Sequence, residues 1–263
     1  MTVTSKDNQW VKEWRGLCDS AKKRRESGLF AIEGARLCGD ALRSGVALRA
    51  VMYTPAALAI YGDIVGPLIE AAETDMEISP EISRYMGDTA NPQGVFCIAK
   101  MLDNLLIIDK INIMGFYGAL EDIQDPGNLG TVIRTAEAFG LDGILLSDGC
   151  CDVYNPKVLR SSMGGVFRLP LLRVGNMTRA VADLQDKGMT AYACVVDADA
   201  APIIDAAFAP GSVAVIGNEG NGLREETVAA CNQAITIPMD GRAESLNASM
   251  AAGIILWEMT RPR

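Results

Sequence analysis

Histidine is absent from all 263 residues. That excludes a histidine general base, a histidine proton shuttle and any histidine-ligated metal. No C-x-x-C pair occurs, and the seven cysteines are odd in number and scattered, from Cys18 to Cys231. Neither a disulfide framework nor a zinc knuckle is expected, so no metal is expected at all. Adjacent Cys150 and Cys151 read as small buried hydrophobes rather than as a redox pair. Met1 to Arg15 is polar and charged, without the apolar core of a signal peptide. The longest apolar stretches, such as Ala251 to Trp257, are too short to span a bilayer. A soluble, reduced, cytoplasmic protein with no membrane partner is expected. Both G-x-G-x-x-G and the Walker pattern are also missing, which weakens the case for a nicotinamide- or nucleotide-dependent enzyme.

The chain has globular composition, 49% apolar and 22% charged, and its length fits one or two domains. Its net charge of −9 argues, as a total, against a nucleic-acid partner. The charge is uneven, however. Residues 1–50 hold ten Lys/Arg against six Asp/Glu, including the run Lys22, Lys23, Arg24 and Arg25. No Asp or Glu falls between Val153 and Ala182, where Lys157, Arg160, Arg168, Arg173 and Arg179 lie. Phosphate binding needs a local positive surface rather than a positive total. A solvated helix face would also account for the first cluster.

Apolar spacing predicts an amphipathic helix over Trp10 to Arg25, stopped by Gly28. Strands are expected at Leu29–Ile32, Leu48–Tyr53 and Val95–Ala99, alternating with helices at 35–43, 60–73 and 80–86, and with an extended segment at 76–78. Apolar runs at Leu105–Asp109 and Ile113–Leu120 read as buried strands. Strand–helix alternation then resumes through Gly143–Ser147, Phe167–Leu172, Met189–Val196, Val213–Ile216 and Ala234–Ile237, closing with a helix over Leu246–Met259. The fold class is α/β: a small α/β module of about one hundred residues, then a parallel sheet covered on both faces. The boundary falls between Ala99 and Asn112, with no Gly/Ser-rich linker to mark it.

Ligands of open α/β sheets collect at the carboxyl ends of strands, and three such ends carry unusual chemistry. The first is Asp125-Pro126-Gly127-Asn128-Leu129-Gly130, followed by Arg134; a tight turn into a helix N-terminus suits an anion, and Arg134 can hold phosphate bidentately. A capped helix with a surface arginine would look the same. The second is Ile216-Gly217-Asn218-Glu219-Gly220-Asn221-Gly222, whose glycines admit close approach to the backbone. Glu219 there is either a turn former or a functional carboxylate. The third runs from Ile237-Pro238-Met239 to Ser245-Leu246-Asn247. Ser245 reads as the N-cap of the last helix, which places Asn247 in its first turn.

In this order and spacing, Asn128-x-Gly130-x-x-x-Arg134, Gly217-x-Glu219-Gly220-x-Gly222 and Ile237-Pro238-Met239 to Ser245-Leu246-Asn247 closely resemble the three motifs of the SpoU/TrmH family of RNA 2′-O-ribose methyltransferases, within the SPOUT superfamily. Asn155-Pro156-Lys157 through Arg160 resembles that family's intermediate segment. Phe30-Ala31-Ile32-Glu33-Gly34 to Pro92-Gln93-Gly94-Val95 resembles its N-terminal substrate-binding domain. The resemblance implies an RNA-binding domain of ribosomal-protein-like fold at 1–103 and a methyltransferase domain with a C-terminal trefoil knot at 104–263. It implies a homodimer acting on RNA, ribosomal before transfer, and S-adenosylmethionine as cofactor at Gly217, Asn218, Gly220, Ile237, Met239 and Leu246. Catalytic roles fall to Asn128, Arg134, Glu219, Ser245 and Asn247, with Glu219 fixing the loop and Arg134. RNA contacts fall to Lys22, Lys23, Arg24, Arg25 and Arg160. A catalytically silent RNA-binding member of the fold is the remaining alternative.

Overall fold

The structure is a computed structural model describing residues 2–89, 91–102 and 108–261. The chain packs as two compact units, Met1–Asp103 with Tyr154–Phe167, and Asn104–Val153 with Arg168–Arg263. The stretch 154–167, read from sequence with the second domain, therefore belongs to the first unit.

The first unit opens with α1 (Gln9–Asp19) and α2 (Ala21–Ser27), then β1 (Leu29–Glu33), α3 (Ala35–Arg43), β2 (Leu48–Tyr53), α4 (Pro55–Ile60), α5 (Gly62–Ala71), β3 (Thr74–Glu77), α6 (Pro80–Met86) and β4 (Val95–Lys100). Its sheet runs β1-β4-β2-β3, with β4 antiparallel to both β1 and β2, and β3 parallel to β2. The expected single helix over 10–25 is two helices. Ser20 turns to φ −132°, ψ 110°, and its side chain accepts from Lys23 N, capping α2. Amphipathic spacing hid this break, because a serine cap costs nothing in apolar periodicity. The expected 60–73 helix is α5, which starts at Gly62 and ends at Ala71; Ile60 is instead the last residue of α4. Val11, Trp14 and Leu17 of α1 bury against Leu29, Ala31, Phe96 and Ile98. Trp14 meets Phe96 edge-on at 5.2 Å between centroids, a geometry worth about 0.5–1.5 kcal/mol beyond burial.

The second unit begins with a single 3₁₀ turn at Ile108–Lys110; Leu105–Ile107 of the expected strand lie outside the described residues. Of the 113–120 run, only Tyr117–Leu120 is strand (β5), and Ile113 and Met114 are exposed in the turn before it. Then come α7 (Pro126–Ala138) and β6 (Gly143–Ser147), and, after the first unit's α8 (Pro156–Ser162), β7 (Leu171–Val174), α9 (Met177–Asp186), β8 (Thr190–Cys194), β9 (Ala201–Pro202), β10 (Ser212–Ile216), α10 (Glu225–Ala230), β11 (Gln233–Thr236) and α11 (Ala248–Thr260). The strand expected at 167–172 starts later, because 165–167 forms a 3₁₀ turn. Edge strand β9 is too short to carry a sequence pattern. The sheet order is β7-β6-β5-β10-β8-β11-β9, and every pairing is parallel. One face buries Tyr117, Ala119, Leu145, Val213 and Val215 against Val181 and Leu184 of α9. On the other side α7 packs against α11, and α11 against β10. The central pair β5 and β10 are far apart in sequence, so their carboxyl ends form a crevice where strand order reverses.

Two helix starts differ from expectation. The tight turn expected over Asp125–Gly130 is already helical from Pro126: Asp125 caps α7, its carboxylate accepting from Asn128 N at 2.8 Å, with Pro126 at the first helical position. Proline at that position is preorganised and gives up no hydrogen bond. The cap of α11 is Asn247, not Ser245, since Asn247 Oδ1 accepts from Ser249 N and Met250 N.

Candidate active site

The carboxyl ends of β10, β8 and β11 open into a cavity of about 430 Å³. Ile216, Ile235, Ile203 and Ile255 give it an apolar lining, and the backbone of Gly217–Leu223 forms one wall. Cys194 also lines it; burial pushes that thiol up, so it meets a ligand as a neutral group. The 217–222 segment is a closed hairpin. Asn218 and Gly222 exchange both backbone bonds at 3.0 Å, and Asn218 Oδ1 accepts from Gly220 N and Asn221 N. Gly217 has no room for a side chain, because a Cβ there would sit 2.2 Å from the Gly222 carbonyl carbon. Main-chain crossing, rather than a ligand, therefore dictates this glycine.

A polar relay joins the three corners. Asn128 Nδ2 donates to Glu219 Oε1 at 3.0 Å, and Asn247 Nδ2 donates to Asn128 Oδ1 at 3.0 Å. Asn247 Oδ1 in turn accepts from Ser249 N and Ser249 Oγ. The carboxylate can only accept, so it fixes the orientation of each amide down the chain. Glu219 also accepts from Gln124 N and Asp125 N, both at 3.3 Å. Burial pushes the Glu219 carboxyl up, but the Asn128 amide and the surrounding backbone N–H groups outweigh it and hold it below the usual carboxylate range. Glu219 is thus a fixed anion that ties the second motif to the start of α7.

Residues 116–257 match the SpoU rRNA Methylase family, and residues 8–97 match the MRM3-like substrate binding domain. The chain belongs to the SpoU rRNA methylase family. It is 30% identical over 260 residues to the 23S rRNA (guanosine(2553)-2′-O)-methyltransferase RlmP of Bacillus subtilis (strain 168), covering 98% of each chain. The AdoMet-bound rRNA methyltransferase from Sinorhizobium meliloti matches with a TM-score of 0.88 and 30% identity, over 99% of this chain and 97% of that one. The SpoU methyltransferase AviRb from Streptomyces viridochromogenes, in complex with AdoMet, gives a TM-score of 0.84 at 27% identity and 97% coverage of both chains. The seven-stranded parallel sheet is accordingly that of the SPOUT methyltransferases.

As a SpoU member, the chain places its sequence-predicted residues unevenly. Gly217, Asn218, Gly220, Ile237, Met239 and Leu246 all line the cavity, together with Glu219 and Ser245. Asn128, Glu219 and Asn247 form the relay, and Ser245 is not part of it. Arg134 lies six residues along α7 from Asn128, exposed and without a hydrogen bond or ion pair among the described residues. The expected contact from Glu219 to Arg134 is therefore not formed, since Glu219 is already committed to Asn128 and the backbone.

Of the basic cluster, Lys22 and Arg25 are exposed on α2, Lys22 beside Glu26, and Lys23 reaches the Glu13 carbonyl. Arg24 is different. It is 2% exposed, and its guanidinium donates to the carbonyls of Leu17 and Cys18 at the end of α1. It satisfies helix carbonyls that would otherwise lack donors, a structural use that removes it from the RNA-facing set. Arg160 is ion-paired with Asp88 at 2.8 Å.

Several site residues were invisible to sequence reasoning. Val195, Val196, Thr236, Ala248 and Ala251 complete the cavity lining. In the first unit, exposed Tyr85 carries Lys6 over its ring at 4.7 Å and Arg15 at 5.8 Å. These three positions are too far apart in sequence to form a motif. Among the described residues no helix is long and apolar enough to cross a membrane, and no His/Cys/Asp/Glu group is placed to hold a metal.

Proposed function

We propose that this protein methylates a ribose 2′-OH of ribosomal RNA, with the cavity at the carboxyl end of β10 as its S-adenosylmethionine site and Arg134 as its RNA-phosphate clamp. The enzyme is an S-adenosylmethionine-dependent RNA methyltransferase of the SpoU family. One observation carries the assignment of the chemistry: the cavity is walled by the same loop whose Glu219 holds Asn128, on the helix that presents an unpaired Arg134.

The cavity fits the cofactor's chemistry. Isoleucines suit an adenine face, while backbone groups of the 217–222 hairpin and Ser245 offer polar contacts along one wall. When bound, S-adenosylmethionine supplies a sulfonium-activated methyl carbon for in-line displacement. The protein's part is alignment, which can supply several kcal/mol. A ribose hydroxyl is a poor acid, and the chain has no histidine to take its proton. A guanidinium stays charged at any working pH. Arg134 therefore holds the phosphate beside the target ribose and polarises the 2′-OH, whose proton leaves late, to phosphate or water. Asn128 and Asn247, locked by Glu219, orient the ribose, with Ser245 at the cavity rim.

The first unit supplies RNA grip through Lys22, Lys23, Arg25 and Arg160, extended by Tyr85 with Lys6 and Arg15 as a stacking face flanked by cations. In this reading the RNA-binding unit is 1–103 together with 154–167, the methyltransferase unit is 104–153 with 168–263, and the latter carries the trefoil knot. We assign the working form as a homodimer. Helix α11 buries Ala252, Ile255, Leu256 and Met259, yet leaves Met250, Ile254 and Trp257 exposed at helical spacing. A helix apolar on all sides calls for a second covering surface, and a second copy provides it. The seven free cysteines suit the reducing cytoplasm.

The test is Arg134→Lys, which keeps the charge and loses the planar fork. S-adenosylmethionine affinity should stay unchanged while methyl transfer falls about 100-fold, the usual scale for a lost transition-state contact. Near-wild-type turnover would reject the role of the fork.

A further inference from the structure

Two acids at the end of β5 lie outside the cavity and yet hold both ends of its loop. Glu121 is 1% exposed; its carboxylate accepts from Arg224 N at 2.9 Å and from Thr227 Oγ1 at 2.8 Å. It thereby fixes the start of α10, where the loop finishes. Asp122 does more. Its amide donates to Ser147 Oγ at 2.8 Å, and its carboxylate accepts from the same hydroxyl at 2.6 Å and from Arg224 Nη2 at 2.6 Å. Its carbonyl accepts from Asn218 Nδ2 at 2.7 Å. Asn218 is the residue whose Oδ1 closes the hairpin over Gly220 N and Asn221 N. The backbone of Asp122 is left-handed, at φ +57°. It shares that property with only one other non-glycine among the described residues, Met163. Gly149 leaves the room required, since a Cβ there would fall 2.1 Å from Asp122 Oδ1.

We propose that Asp122 is a positioning residue for the cofactor loop, acting through its left-handed backbone. That conformation lets one residue aim its carbonyl at Asn218 and its carboxylate at Ser147 and Arg224. Aspartate is among the few side chains that tolerate this region, because its short polar group bonds locally. Positive φ in a non-glycine persists only where the surroundings over-determine it, and such positions gather at ligand clamps. Here four hydrogen bonds do so, and all four lead to the loop or to the strand end beside it. The inference rests on the assignment of S-adenosylmethionine to this cavity.

Backbone shape and charge make different predictions for the same position. Asparagine keeps the left-handed preference and loses the ionic pair. Glycine keeps the conformation and loses every side-chain bond. Alanine resists positive φ, and valine, β-branched, resists it most. If the backbone is the device, affinity follows Asn and Gly, then Ala, then Val.

The experiment titrates the full-length protein and its Asp122→Asn, Asp122→Gly, Asp122→Ala and Asp122→Val variants with S-adenosylmethionine by calorimetry, and measures methyl transfer to ribosomal RNA. The Asn and Gly variants should bind within about threefold of wild type, and Val more than about tenfold more weakly, as expected for a strained backbone position. The loss should appear in KM for S-adenosylmethionine, with kcat at saturating cofactor within about threefold, the signature of binding rather than chemistry. If Asp122→Val does not fold, the ratio of Ala to Gly, both checked by thermal melt, carries the comparison. Equal affinities in all variants would overturn the proposal. So would Asn and Gly as weak as Val, which would place the effect in the Arg224 ion pair. Failure of the wild-type protein itself to bind S-adenosylmethionine would overturn the cofactor assignment, and the proposal with it.

Discussion

Asn128→Asp puts a carboxylate where an amide now donates. Asn128 Nδ2 lies 3.0 Å from Glu219 Oε1. Two negative charges at that separation repel by about 1.4 kcal/mol in bulk water and about 5.5 kcal/mol at an effective dielectric of about 20. Glu219 is exposed, so the aqueous end applies. Loss of a hydrogen bond to a charged acceptor adds to this, and the combined destabilisation at pH 8 should be about 2–3 kcal/mol. For a unit of this size that is a fall in Tm of roughly 5–10 °C. The effect depends on pH. In the variant the paired carboxyls share a proton with a raised apparent pKa. A carboxyl whose folded pKa is raised gains stability as pH falls, so the deficit should be smaller at pH 5 than at pH 8. Wild type should not mirror this. The Glu219 carboxyl is held below its ordinary value of 4.5, so its contribution is complete above that pH and is lost only as pH falls through the lowered value. Differential scanning fluorimetry of both proteins at pH 8 and pH 5 makes the comparison. An unchanged Tm at pH 8, or an equal deficit at both pH values, would refute the relay.

Two further outcomes separate structural from functional cations and test assembly. Changing Lys22, Lys23 and Arg25 together to glutamine should weaken RNA binding and flatten its salt dependence, whereas Arg24→Met should leave RNA affinity intact and lower stability by about 1.5–3 kcal/mol, because it strips hydrogen bonds from buried helix carbonyls; filter binding across a salt series and thermal melts read the two effects. Trp257 is 52% exposed on α11 and meets Phe139 in a tilted ring contact at 5.4 Å between centroids. Trp257→Glu should shift the protein from dimer to monomer in sedimentation, and a wild-type monomer would contradict the assembly assigned to that face.

Much of this architecture is written in local pattern. Helix 35–43 and strands 48–53 and 143–147 end where their apolar spacing and turn residues end. Two of the failures, at the starts of α2 and α11, share a cause: a polar side chain competing with periodicity. Ser20 divides α1 from α2 and Asn247 starts α11, each by one hydrogen-bonding oxygen that leaves the apolar pattern unchanged. Arg24 sits in a basic run but folds inward, because the carbonyls at the end of α1 need donors. Motif order and spacing single out Asn128, Glu219 and Asn247 as candidates. Their mutual bonding was not legible, since Asn128 and Glu219 are 91 positions apart and meet only through the β5–β10 pairing. The left-handed turn at Asp122 left no trace in sequence for the same reason: all three of its partners, Ser147, Asn218 and Arg224, come from other elements.

The central claim is methyl transfer to a ribose hydroxyl. Incubating the protein with tritiated S-adenosylmethionine and ribosomal RNA, then digesting to nucleosides and mapping by mass spectrometry, tests it directly. The expected result is label at a single nucleotide as a 2′-O-methyl ribose, lost when the target is replaced by its 2′-deoxy counterpart. Label on a base, or label that survives the 2′-deoxy substitution, would contradict it.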